Sequence, residues 1–72
     1  MNKPVILVID DEPQILKLLE IALESNGYKV ILADCAKTGM ALAASTQPDL
    51  ILLDLNLPDK TGHETLLELR KW

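Results

Sequence analysis

"LLDLNLPDKTG", residues 52–62, continues an apolar run that begins at Leu50 and then sets a charge, Asp54, at its end. An ionised carboxylate closing a dry segment is costly unless something compensates it. Pro58 and Gly62, with Asp59 between them, turn the chain soon afterwards. "LILLDL", 50–55, therefore reads as a buried strand that delivers a carboxylate to an edge.

The rest of the chain repeats this logic. "VILVI", 5–9, is short, continuous and β-branched, as a strand buried on both faces is. "PQILKLLEIALES", 13–25, carries Ile15, Leu16, Leu18, Leu19, Ala22 and Leu23 at helical spacing. Pro13 suits its first turn and Asn26-Gly27 its stop. "YKVILA", 28–33, is a second strand. Asp34 is placed to cap a second helix over 35–45, rich in Ala and weakened by Gly39. Pro48-Asp49 breaks the chain. "HETLLELRKW", 63–72, reads as a third helix with Leu66, Leu67 and Leu69 apolar. The order βαβαβα predicts an α/β fold with a parallel sheet.

The totals bound the function. With 72 residues the chain holds one domain at most, and a chain of this size buries only about 60% of its unfolded surface. Tyr28 and Trp72 are its only aromatic residues, so the core is aliphatic. A net charge of −4 disfavours nucleic acid. Cys35 is the one cysteine, which excludes an internal disulfide. No apolar run has the length of a membrane span. The start, Met1-Asn2-Lys3-Pro4, lacks the apolar region of a signal peptide, so a cytoplasmic location is expected.

Asp10 and Asp11 end the first strand, with Glu12 next, and Asp54 ends the third. In open parallel sheets, sites form at the carboxyl edge where the strand order reverses. A spatial order 2-1-3 would bring these acids together, whereas 1-2-3 would part them. The acids favour 2-1-3 and leave the other order open. Carboxylates gathered in one pocket repel, and a divalent cation removes the conflict. All-oxygen ligation in an open, wet site suits Mg²⁺. Asp54 could then act as a nucleophile toward phosphorus, in a transfer governed by positioning and charge neutralisation.

Plainer readings stand beside this one. Asp10-Asp11-Glu12 could be only an acidic first helical turn. His63 has no Cys or second His with which to bind a metal and reads as an exposed helix residue. Cys35 reads as structural, and Arg70-Lys71-Trp72 as a helix end. "DKTG" lacks the glycine-rich stretch of a phosphate-binding loop.

The segments "ILVIDDEPQI" (6–15) and "PDLILLDLNLPDKTGHETLLELR" (48–70) resemble the receiver domain of two-component response regulators. The second is similar to receivers of transcription-regulating members, of the Kdp potassium-transport type. The resemblance covers the whole chain. It implies a flavodoxin-like α/β fold with a three-stranded parallel sheet of order 2-1-3 and flanking helices. It implies that Asp54 accepts a phosphoryl group from a sensor histidine kinase. Asp11 and Asp54 would bind Mg²⁺ directly, Asp10 would hold a metal-bound water, and Asn56 would lend its backbone carbonyl. Pro58 and Gly62 would shape the loop after the acceptor. No substrate turnover is expected beyond the chain's own phosphorylation.

A full receiver has five βα units, and residues 1–72 correspond to three. The Thr or Ser of the family's fourth strand and the Lys of its fifth have no counterpart, and Lys60 and Thr61 do not fill those roles. Residues 1–72 are thus read as a truncated receiver with an exposed third-strand edge and a bare sheet face. Such edges recruit other chains. A homodimer is expected, either pairing third strands as 2-1-3-3′-1′-2′ or burying the bare face. The competing class is a self-associating interaction module without productive phosphorylation. A phosphatase with an Asp nucleophile ranks last, because Asn56 stands where such enzymes keep a second Asp.

Overall fold

The structure, a computed structural model, describes residues 3–54. Asn56, Pro58, Gly62, His63 and the helix expected over 63–72 lie outside the described residues. The elements run β1 (Val5–Ile9), α1 (Pro13–Ser25), β2 (Lys29–Ala33), α2 (Ala36–Thr46) and β3 (Leu50–Leu53). The strands form one parallel sheet in the order β2-β1-β3, with Ile6 to Ile9 of β1 level with Leu50 to Leu53 of β3. This settles the strand order that the acids left open.

β1 is central, and Ile6, Leu7, Val8 and Ile9 are all buried. That is why its sequence is apolar at every position rather than alternating. Partners across a parallel ladder share a face. Leu7, Ile9, Ile31, Ala33, Ile51 and Leu53 therefore meet α2, whose Ala36, Leu42 and Ala43 belong to the same core cluster. Ile6 and Val8 point to the other face, where Leu19 of α1 lines a groove with Val8 and Leu52.

The apolar stripe of α1 is less covered than its spacing suggests. None of its residues is buried. Leu16, Leu19 and Leu23 turn toward the sheet and are half-buried, whereas Ile15 and Leu18 are 37% and 63% exposed. The physical reason is width: among the described residues α1 lies alone on its face of a three-stranded sheet, so the flank of its stripe faces solvent.

The ends of α1 follow the sequence closely. Pro13 sits at the start, where its missing N–H costs nothing. At the other end the Tyr28 N–H donates to the Leu23 carbonyl and the Gly27 N–H to the Glu24 carbonyl. This is a Schellman stop, and Gly27 at φ +88° takes the left-handed position it requires.

α2 differs in detail. It begins at Ala36, and the N-cap position belongs to Cys35 rather than Asp34. No side chain caps it; the Cys35 thiol instead donates to Thr38 Oγ1 at 3.3 Å. α2 ends on Gln47 in the left-handed region at φ 49°, immediately before Pro48. β2 begins one residue later than expected, at Lys29. β3 stops at Leu53, so Asp54 stands just past the strand.

Gly39 has a purpose that helix propensity hides. A Cβ built there would lie 2.5 Å from Cδ1 and 2.8 Å from Cγ1 of Ile9. The bare backbone lets α2 close onto the last residue of β1, directly below the acidic edge.

Candidate functional site

Because Ile9 and Leu53 are the last paired residues of β1 and β3, the next residues leave the sheet side by side. They are Asp10 and Asp54. The backbone fixes both. The Asp10 N–H donates to the Ala33 carbonyl of β2 at 3.0 Å, and the Asp54 N–H to the Ile9 carbonyl at 2.9 Å. Asp10 then turns the chain toward α1, its Oδ1 accepting the Glu12 N–H at 2.9 Å. That bond commits one carboxylate oxygen to the turn.

Asp10, Asp11 and Asp54 each bring one carboxylate oxygen into a cluster whose members all lie within 4.8 Å of one another. Asp10 and Asp54 are half-buried and Asp11 is exposed. The cluster opens beside a shallow groove lined by Asp10, Asp54, Val8, Leu19, Leu52 and Leu53. Asp34, at the end of β2, lies apart from the cluster and lines another groove with Leu16, Leu32 and Thr38. Asn56, whose carbonyl the family resemblance assigns to the metal, lies outside the described residues.

Three like charges at this spacing repel by about 1–3 kcal/mol per pair, depending on solvent access. A hard cation turns that repulsion into attraction. Ligands on an octahedral Mg²⁺ sit about 2.0–2.1 Å from the ion, so opposite ligands are about 4 Å apart. Oxygens that all lie within 4.8 Å of one another are gathered on that scale. An all-carboxylate donor set suits Mg²⁺, Ca²⁺ or Mn²⁺ and not a soft, thiolate-seeking metal. The residues present therefore fit a divalent cation.

Comparison with known proteins identifies the family. Residues 6–72 match the response regulator receiver domain. The chain is 49% identical over 67 residues to the transcriptional regulatory protein KdpE of Mycobacterium tuberculosis, covering 93% of this chain and 30% of that protein. It thus spans less than a third of that relative's length. A CheY-like receiver domain protein of Methanospirillum hungatei superposes with a TM-score of 0.94 at 36% identity, over 97% of this chain and 56% of that one. The response regulator TrrA of Thermotoga maritima, solved with Mg²⁺ and BeF, gives a TM-score of 0.90 at 37% identity, over 94% and 59% of the two chains. TrrA has also been solved in complex with the histidine kinase ThkA, at a TM-score of 0.89, 37% identity and the same coverage.

Proposed function

This chain belongs to the response regulator receiver domain family, and on that premise we propose that it is a phosphoacceptor module whose acceptor is Asp54. The observation that carries the proposal is the gathering of Asp10, Asp11 and Asp54 at the tips of two strands that are not consecutive in sequence. A carboxylate oxygen of Asp54 attacks phosphorus. The new P–O bond forms as the bond from phosphorus to the donor breaks, and the donor departs with that electron pair. In this reading Asp11 and Asp54 would hold the cation directly and Asp10 would orient a water on it, while the family resemblance would add the Asn56 carbonyl. Mg²⁺ would supply charge neutralisation for the incoming phosphoryl oxygens.

The natural donor in this reading is a phosphohistidine on a sensor histidine kinase. The TrrA–ThkA complex supports that partner class. The KdpE relatives are transcriptional regulatory proteins, and we read this chain as the receiver part of a regulator of that kind. It performs no turnover beyond its own phosphorylation, works in the cytoplasm, and makes no direct nucleic-acid contact. Among the described residues, no helix is long and apolar enough to cross a membrane. Incubation with Mg²⁺ and a small acyl phosphate tests the proposal. Intact mass should rise by one phosphoryl group, and an unchanged mass contradicts it.

A second reading, self-association, is favoured by one observation. Ile15 and Leu18 of α1 and Leu50 of β3 are exposed, Leu50 by 51%. Among the described residues β3 is the last strand of the sheet and pairs only with β1. Edge strands of this kind pair with other chains. The proposed occupant is a second copy of the chain, joined through the β3 edges and the apolar face beside them. Light scattering after size exclusion should give the dimer mass, and Leu50→Lys should shift it to the monomer. A monomer at every concentration contradicts this reading.

A further inference from the structure

Leu50–Leu53, the sequence LILL, contains no polar residue. Its pattern therefore does not fix how β3 sits against β1. A slide by one residue would still offer Leu or Ile to both faces. Yet it would carry Asp54 about 3.3 Å along the sheet and turn it to the opposite face. The acidic cluster depends on a register that alternation does not specify.

The two ends of the β1–β3 ladder differ in kind. At the carboxyl end, the bond from the Asp54 N–H to Ile9 is made by backbone alone, and any residue except proline could donate it. At the amino end, the Asp49 N–H donates to the Val5 carbonyl at 2.8 Å, and Asp49 Oδ2 accepts the Val5 N–H at 2.7 Å. Here a side chain takes the acceptor role that a strand carbonyl normally fills. Both bonds join the same two residues and close a ring that needs a short side chain bearing an oxygen.

The neighbours of Asp49 show what this ring excludes. If β3 slid so that Pro48 took its place, the Val5 carbonyl would face a nitrogen with no proton. If it slid the other way, Leu50 would supply an N–H but no acceptor for Val5. We infer that Asp49 is a positioning residue: its two bonds to Val5, with Pro48 before it, set the register of β3 and so hold Asp54 beside Asp10 and Asp11. The consequence for cation binding rests on the phosphoacceptor reading; the register itself does not.

The test compares Asp49→Ala with Asp49→Asn in the full chain. Cross-strand NMR contacts between Ile9 and Leu53 report the β1–β3 register, and those between Ile9 and Ala33 report β1–β2. Titration with Mg²⁺ alone reports the site. Asp49→Ala should weaken or shift the Ile9–Leu53 contacts, leave Ile9–Ala33 intact, and lower Mg²⁺ affinity about tenfold. Asp49→Asn, whose amide oxygen can accept the same bond, should preserve all three. The inference is overturned if Asp49→Ala keeps the Ile9–Leu53 contacts. It is also overturned if both strand pairs are lost together, or if Asp49→Asn behaves like Asp49→Ala. Should the unmutated chain bind no Mg²⁺, the phosphoacceptor reading fails, and the Ile9–Leu53 contacts alone then decide the register claim.

Discussion

Asp54→Asn should abolish the phosphoryl mass gain while leaving the fold intact. The two side chains share a shape, and the backbone bond from residue 54 to Ile9 does not involve the side chain. What the substitution removes is the nucleophile: an amide oxygen does not form a stable acyl phosphate. It also removes one of three negative charges from the cluster, so cation affinity should fall as well. The expected result is loss of incorporation to the detection limit with an unchanged circular dichroism spectrum. A variant still phosphorylated at the original rate would move the acceptor to another residue.

Gly39→Ala should be the most damaging single-methyl change among the described residues, although intrinsic helix propensity alone predicts the reverse. In an exposed helix the exchange gains about 1 kcal/mol. Here the added carbon would meet Ile9 Cδ1 at 2.5 Å, Cγ1 at 2.8 Å and Cγ2 at 3.2 Å. Ile9 is fully buried, so the clash has to be absorbed inside the core. Overpacking of this kind costs about 1–3 kcal/mol, and backbone separation of α2 from β1 adds to it. A net loss of about 1–2 kcal/mol is expected, seen as a thermal midpoint lower by about 5–10 °C. Because Ile9 immediately precedes Asp10, Mg²⁺ affinity should fall with it. Ile9→Val deletes the atom in closest contact and should recover part of the loss in the double variant. A midpoint raised by Gly39→Ala would show that α2 yields and that the close approach is unimportant.

These two positions show what was legible in the sequence. Asp54 stood out because a charge at the end of an apolar run needs an explanation. Asp10 and Asp11 did so for the same reason, at the end of a strand too apolar to be an edge. The α/β class followed from alternating strands and helices, and α1 from its apolar spacing, Pro13 and Gly27. The strand order did not follow from local pattern, because both orders satisfy the same alternation. It needed the acids as a clue and the ladder as proof.

Gly39 was legible only as a weak helix former, since the cost of a methyl there is set by Ile9, thirty residues earlier. Asp34 satisfied the local rule for a cap, yet the cap position falls one residue later, on Cys35. Asp49 read as part of a chain break because its partner, Val5, is distant in sequence. The spacing on α1 put Ile15 and Leu18 on its apolar stripe, but spacing does not reveal how wide the opposing sheet is. The misses at Gly39, Asp49 and the α1 stripe are long-range facts, whereas the hits were local ones.

The most direct test of the central claim is where a cation sits. Mn²⁺ shares the oxygen preference of Mg²⁺ and broadens the NMR signals of nearby nuclei. Added in small amounts to the ¹⁵N-labelled chain, it should first erase the amide signals of Asp10, Asp11 and Asp54 together, while those of Glu20, Glu24 and Asp49 persist. Broadening that begins on the α1 acids, or that reaches Asp10 and Asp11 but spares Asp54, would contradict a site shared by the two strand tips.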